Sequence, residues 1–388
     1  MTASFHFNPL SIPPELEPFR QEVRSFLAEA KKEWSGWTVG HSWTAFDREF
    51  SLEVGKRGWI GMTWAKKYGG QERSALERYV LVEEMLAVGA PMGAHWFADR
   101  QSGPLILRMG TEAQRKKFLP AITRGEISFC IGLSEPDSGS DLASVRSKAE
   151  KVDGGWRLNG RKIWTTNAHL SEYMIGLFRS GGEEADPKIK HQGLSQYIID
   201  MKTPGIEVRP IADLTGEAHF NEILFEDVII PDDAIIGAEG DGWKQATSEL
   251  TFERSQPDRF LSCFPLLPLT IDALQNNPQS DRLAQRKIGQ SIADVIVMRE
   301  MSLSILGELD KGNTPSQEAS VVKDLGCTYE QRTPDLVREL LDSPALMQRG
   351  DAFSELQAYL TQTVPSFSLR GGTREILRGI IAKGLGLK

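Results

Sequence analysis

The chain has 388 residues, enough for two or three domains around an extensive core. Forty per cent apolar and 25% charged residues describe an ordinary globular protein, and a formal charge of −8 argues against nucleic acid as a general partner. No apolar run approaches the length of a membrane span, which argues against membrane insertion.

The three cysteines, Cys130, Cys263 and Cys327, lack metal-ligand spacing and leave one unpaired in any disulfide scheme. A reduced, cytoplasmic protein is the simplest reading. Pro13, Pro14, Glu15 and Glu17 interrupt any basic-then-apolar leader pattern.

Residues 1 to about 12 read as a loose arm. Leu16, Phe19, Val23, Phe26 and Leu27 then recur at helical steps. The stretch Trp34 to Gly40 breaks that helix, and Phe46 to Lys56 predicts another. Gly58 to Trp64 and Tyr68 to Gly70 read as loop. Ser74 with Glu77, and Thr111 with Gln114, have capping-box spacing and open helices to Ala87 and Arg124. Pro104 to Met109 lies between them, with Gly110 as its stop.

Near Gly125 the period changes to two. Phe129 and Ile131 share one face of a strand that runs into the polar loop Ser134 to Asp141. Asn159-Gly160, set between alternating residues, predicts a hairpin turn. Strands are expected at Tyr173–Phe178, Ser195–Asp200, Gly205–Pro210 and Glu222–Ile230, with a polar, mobile connection from Gly181 to Gly193. After Gly242 the pattern is helical: Trp243–Phe252, Arg282–Leu309, Ser316–Leu341, Phe353–Thr363 and Thr373–Ala382. The fold class is therefore α+β. An N-terminal helical domain (1–125) precedes a central barrel- or sandwich-like β domain (126–236) and a C-terminal four-helix bundle (237–388).

Two stretches in the β domain carry chemistry. Ser134 to Asp141 packs Pro136, Gly139 and three serines into one loop, with backbone N–H groups and hydroxyls for an anionic or polar ligand. Lys162-Ile-Trp-Thr-Thr-Asn167 adds an aromatic wall. An isoalloxazine ring needs such a wall and polar contacts at its edge. Trp164 offers the stacking face and Thr166 a hydroxyl. Leu133 and Ser134 offer backbone groups, and Ser140 a further hydroxyl.

With these motifs in place the chain resembles the acyl-CoA dehydrogenase family over nearly its whole length. The resemblance rests on Gly110 to Pro120, Ser134 to Asp141, Trp164 to Asn167, Phe225-Glu-Asp-Val228 and Gly371-Gly-Thr-Arg-Glu-Ile-Leu377. It implies FAD bound between the β domain and the C-terminal bundle, with a neighbouring subunit completing the site. It further implies α,β-desaturation of an acyl-CoA, with electrons passed to an electron-transfer flavoprotein. The assembly implied is a homotetramer or an α2β2 heterotetramer.

Many family members place the base in a Tyr-Glu-Gly-Thr motif, but here Arg370-Gly371-Gly372-Thr373 has no such carboxylate. Members resembling isovaleryl-CoA dehydrogenase place it on the first long helix of the C-terminal domain, where Glu253 stands in Leu250-Thr-Phe-Glu-Arg254. The resemblance thus implies Glu253 as base. It also implies that the Gly371 N–H and an FAD ribityl hydroxyl polarise the thioester. Pro257, four residues on, cannot donate to the Glu253 carbonyl, so the helix is expected to bend or open there. Thr373, Glu375 and Arg286 match FAD-contact positions, although the spacing around Arg286 departs from the common form. Ser140, Arg254 and Gly372 are the expected substrate contacts. Phe260, Leu261, Phe264, Leu266 and Leu267 are either acyl-pocket lining or bundle core.

Ser343 to Gly350 occupies the place of the usual Gln-x-x-Gly-Gly segment. This leaves open a catalytically incomplete subunit of a heteromer; a flavin oxidase or monooxygenase on the same fold is a separate alternative. The histidines show no spacing for a metal or a triad.

Overall fold

The computed structural model describes residues 5–33, 40–181, 189–275, 282–341 and 351–387, the side chains of 249–252 excepted. Ser343–Gly350, and most of Trp34–Gly40 and of the Gly181–Gly193 connection, lie outside the described residues. The architecture is a helical N-terminal part, a curled sheet in the middle and a helical C-terminal part. By contacts the chain forms two compact units, each assembled from separated stretches. One comprises 1–43, 74–90 and 251–388; the other comprises 44–73 and 91–250.

In the first unit, helices α1 (Glu17–Glu33) and α3 (Ala75–Ala87) pack together. Helix α2 (Arg48–Lys56) belongs to the other unit. Helix α1 buries Phe19, Val23, Phe26, Leu27 and Ala30, the stripe its periodicity predicts. Its Arg20 binds Glu83 at 2.9 Å, and Arg24 binds Glu84 at 2.8 Å. Those two acids are buried on α3 because each has a cationic partner. Both expected capping boxes form, Ser74 with Glu77 and Thr111 with Gln114.

The C-terminal helices are α8 (Leu266–Gln275), α9 (Arg282–Asp310), α10 (Ser316–Leu340), α11 (Ala352–Thr363) and α12 (Arg374–Gly384). Their core includes Cys263, Leu266, Val337, Leu356 and Leu360. The N-terminal arm is not loose from residue 5 onward. The His6 N–H donates to Glu318 at 3.2 Å, and the Asn8 amide donates to Glu308 at 3.1 Å.

In the second unit, α4 (Gly93–Phe97), a π-helical turn (Ala98–Ser102), α5 (Gly103–Met109) and α6 (Glu112–Thr123) accompany a seven-stranded sheet. The strands are β1 (Phe129–Gly132), β2 (Lys148–Val152), β3 (Gly155–Lys162), β4 (Tyr173–Arg179), β5 (Leu194–Asp200), β6 (Ile206–Ile211) and β7 (Phe220–Pro231). Their order is β1-β4-β2-β3-β7-β6, with β5 on the other edge of β4. Short β1 runs parallel to β4, so the chain leaves the sheet at Gly132 and enters the Ser134–Asp141 loop beside it. The sheet core holds Trp156, Leu158, Met174, Phe178, Tyr197, Ile223 and Phe225.

The Asn159-Gly160 hairpin does not form. The turn is Asp153-Gly154, joining β2 to β3, and Asn159-Gly160 lies inside β3, where the register with β7 shifts between Leu158 and Gly160. Asn159 uses its side chain instead: Nδ2 donates to Asp227 Oδ1 at 3.0 Å, and Oδ1 accepts the Asp227 N–H at 2.9 Å. Gly160 has φ +142°, and a Cβ there would stand 2.2 Å from Ser147 Oγ and 2.7 Å from Ser147 Cα. The Asn-Gly pair thus serves a bulge rather than a reversal.

Gly160→Ala is expected to lower stability by about 2–3 kcal/mol, adding a steric clash to an unfavourable φ. Gly154→Ala, at φ +71° with nothing within 4 Å, should lose only about 1 kcal/mol. Urea midpoints of the two variants check this; equal losses would contradict the bulge.

Candidate active site

Helix α7 (Gly242–Glu253) ends at the candidate base, and the chain re-enters a 3-10 turn at Pro257–Arg259. The expected disruption is therefore a full stop of the helix. Pro257 has no N–H, and the Glu253 carbonyl accepts from the Arg259 side chain instead, Nε to O 3.1 Å. Arg259 Nη2 also donates to Glu253 Oε1, so one guanidinium holds both the main chain and the carboxylate of the same residue. Arg259 Nε lies 3.3 Å from Asp258 Oδ2. Burial pulls the Arg259 pKa down, but Asp258 and Glu253 outweigh it and hold the group above its ordinary value.

Gly371 lies against this pair. Its φ is +68°, and a Cβ there would be 3.1 Å from Glu253 Oε1 and 3.3 Å from Arg259 Nη2. The absence of a side chain at 371 is what leaves room for the carboxylate from 253. Arg254 Nε donates to the Gly371 carbonyl at 3.2 Å, and the nearest atom to a Cβ on Gly372 is Arg254 Nη2. Arg370 anchors the same loop. Its Nη2 reaches the Asp258 carbonyl and Ser262 Oγ at 3.2 Å each and Glu330 at 3.3 Å, and its guanidinium lies over Phe367 and Trp43. Glu253, Arg254, Gly371 and Gly372 are thus brought together within one unit.

The remaining C-terminal residues are not part of this cluster. Arg286 is exposed on α9. Thr373 caps α12, accepting the Ile376 N–H at 3.5 Å. Exposed Glu375 is held below its usual carboxylate range by its own N–H and the Thr373 hydroxyl. Phe260, Leu261, Leu266 and Leu267 are buried, and Leu266 belongs to the bundle core.

In the other unit, the Ser134–Asp141 loop and the Trp164 loop are tied side by side, with the Ile163 N–H donating to the Ser134 carbonyl at 3.0 Å. Glu135 is the anchor. Its carboxylate accepts the N–H groups of Arg146 (2.6 Å) and Ser147 (2.9 Å) and pairs with Lys162 at 2.8 Å. Lys162 is wholly buried and also donates to the Leu133 carbonyl at 3.2 Å. Burial pushes the Lys162 pKa down to about 8 against the pull of Glu135. Burial raises the Glu135 pKa, but Lys162 and the donated N–H groups together hold it below its usual value.

Trp164, two residues after Lys162, has φ +61° and is 58% exposed, and it pairs with Phe220 in a T-shaped arrangement with ring centroids 5.9 Å apart. A large aromatic ring presented to the outside on a left-handed backbone is the kind of strain that functional sites hold. Among the described residues, the hydroxyls of Ser134, Ser140 and Thr166 make no hydrogen bond, and the buried Thr165 hydroxyl has no partner. An open ring face beside several unused hydroxyls fits a planar ligand with polar edges, as a flavin is.

Two features escaped the sequence reading: Arg259 and the Glu135–Lys162 pair. A signal for Arg259 was present in Pro257-Asp258-Arg259, two charges set directly before the apolar run that begins at Phe260. Lys162 gave none, because a lysine at a strand end is ordinarily exposed. The cysteines are all buried and free, and no cluster of metal-ligating side chains occurs among the described residues. No described helix is long and apolar enough to cross a membrane.

Comparison with known proteins places these features in a family. Models of the acyl-CoA dehydrogenase N-terminal, middle and C-terminal domains match residues 13–126, 130–228 and 240–386. The chain is 31% identical to the acyl-CoA dehydrogenase IpdE1 of Mycobacterium tuberculosis, over 95% of this chain and 97% of that one. It is 33% identical to the mitochondrial isovaleryl-CoA dehydrogenase of Pongo abelii, over 53% of this chain and 49% of that one. Among solved structures, the Tcur3481-Tcur3483 steroid ACAD is similar with a TM-score of 0.88 and 26% identity, covering 98% of this chain and 100% of that chain.

Lys162→Met leaves the Glu135 carboxylate buried without its cation and is expected to cost roughly 3–5 kcal/mol. Thermal or urea unfolding checks this; a loss below about 1 kcal/mol would mean that the pair does not anchor the loop.

Proposed function

The chain belongs to the acyl-CoA dehydrogenase family, oxidoreductases acting on CH–CH bonds, and from that premise we propose that Glu253 removes the α-proton of its acyl-CoA substrate. One observation carries the reading: the Glu253 carboxylate lies against Gly371, in space that any side chain at 371 would contest. The family's carboxylate is missing from the C-terminal loop, and one from a different element stands beside the same position.

In this reading each residue has a defined task. Glu253 takes the α-proton as the β-hydride departs, so that charge gathers on the thioester oxygen. The Gly371 N–H stabilises that oxygen, and bound FAD would supply a second donor there through a ribityl hydroxyl. Arg254 fixes the 371–372 peptide through the Gly371 carbonyl, which sets where the Gly372 N–H points. Trp164 walls the flavin ring, with Thr166, Ser134, Ser140 and the Leu133 backbone at its polar edge. Arg286, Thr373 and Glu375 serve the rest of the cofactor, Arg286 from a neighbouring copy. FAD, the usual cofactor of the family, supplies the hydride acceptor when bound.

Electron-transfer flavoprotein as acceptor, a cytoplasmic setting, and a homotetramer or α2β2 assembly complete the proposal. A heteromer draws support from the similar steroid ACAD structure, which is named as a pair of proteins. The flavin spectrum of the chain purified alone separates the two assemblies, since a colourless chain that gains flavin only with a second protein is the heteromeric outcome.

Glu253→Gln is expected to lower kcat at least about 10³-fold while the flavin absorbance per chain stays unchanged. Steady-state turnover with a panel of straight, branched and cyclic acyl-CoAs checks this. Undiminished turnover in the variant would end the assignment. Trp164→Ala should weaken flavin retention by about an order of magnitude, read by fluorescence titration of released flavin.

A further inference from the structure

Arg259 is 1% exposed, among the buried charged groups Glu253, Asp258, Lys323 and Glu330. A buried guanidinium persists only where its donors and charge are met. Here Nη2 binds Glu253 Oε1, while Nε binds the Glu253 carbonyl at 3.1 Å and lies 3.3 Å from Asp258. The group cannot drift. Its N–H donates to the Gln256 carbonyl at 3.0 Å, and a Cβ on Gly326 of α10 would stand 2.2 Å from the Arg259 carbonyl oxygen, so its backbone is pressed against that helix. The guanidinium thus reaches Glu253 from a backbone that is fixed, and it grips that residue at both its carbonyl and its carboxylate.

From this arrangement, and resting on the reading of Glu253 as base, we infer that Arg259 is the positioning residue of the proton-transfer step, holding the Glu253 carboxylate ionised and aimed beside Gly371. An unsupported carboxylate at this depth would favour its neutral form, which takes no proton. A fixed cation on Oε1 favours its charged form. Arg254 also attracts Glu253, while its Nε donates to the Gly371 carbonyl. Arg370 is committed to Glu330, Ser262 and the Asp258 carbonyl. Lys323 donates to the Phe367 carbonyl at 2.8 Å and to Cys327 Sγ. Of the two further acids, Asp258 contacts Arg259 itself, and Glu330 pairs with Arg370.

A merely structural ion pair would change stability and leave the pH dependence of catalysis where it was. Arg259→Met is therefore expected to move the acid limb of the kcat/KM profile to higher pH by about 1 unit or more. The same shift should appear in solvent exchange of an α-deuterated acyl-CoA, which reports the proton step without turnover. Arg259→Lys keeps the charge and loses the two-point grip. It should hold the limb within about half a unit of wild type while lowering kcat. If Arg259→Met does not fold, the double variant Arg259→Met/Asp258→Asn removes one charge of each sign and carries the same expectation.

A limb unmoved in the folded methionine or double variant, with Glu253→Gln inactive, overturns the inference alone. Exchange and turnover that survive in Glu253→Gln overturn the base assignment and this inference with it.

Discussion

Pro257 has no N–H for the Glu253 carbonyl, and a carbonyl left bare inside a helical bundle costs on the order of 1–3 kcal/mol. Arg259 answers that carbonyl and, with the same guanidinium, the carboxylate of the same residue. Much of the local structure follows from this one constraint. Helix α7 stops at Glu253, the 3-10 turn brings Arg259 back to it, and Asp258 shares the charge. A second proline repeats the pattern on α10: Pro334 cannot donate to the Glu330 carbonyl, and Cys263 Sγ approaches that oxygen at 3.7 Å while the Glu330 carboxylate meets Arg370. One helix that stops and one that runs on past its proline thus sit beside two buried acids, each with an arginine.

The sheet uses the same physics for a different end. A polar loop cannot be held by apolar packing, so the Ser134–Asp141 loop is held by charge, with Glu135 turned inward onto Lys162 and two N–H groups. That inward anchor leaves the Trp164 face exposed, while the buried Ser138 hydroxyl is spent on the Asp141 carbonyl. In each unit a buried ion pair holds the loop or turn concerned, Glu135 with Lys162 in one and Glu253 with Arg259 in the other.

Parts of this were legible beforehand, for reasons that can be named. Capping boxes and the α1 stripe are local patterns, decided by residues three or four apart, and they formed as read. The proline beside Glu253 signalled a break because its missing donor is a covalent fact. Asn159-Gly160 misled because a positive φ is required equally by a tight turn and by a bulge. Which of the two forms was decided by β7 and Asp227, nearly 70 residues away in sequence. The arm before Pro14 looked loose because its partners, Glu308 and Glu318, lie some 300 residues on.

The sequence by itself determined the order of helical and sheet segments, the family, and the presence of glycine at 371 and glutamate at 253, since all of these reside in residue identity and near-neighbour spacing. The tertiary structure alone decided which charge stands against which. Arg259 and Lys162 are ordinary surface residues by composition and became buried partners of Glu253 and Glu135 only when packing removed the water that would otherwise have solvated them.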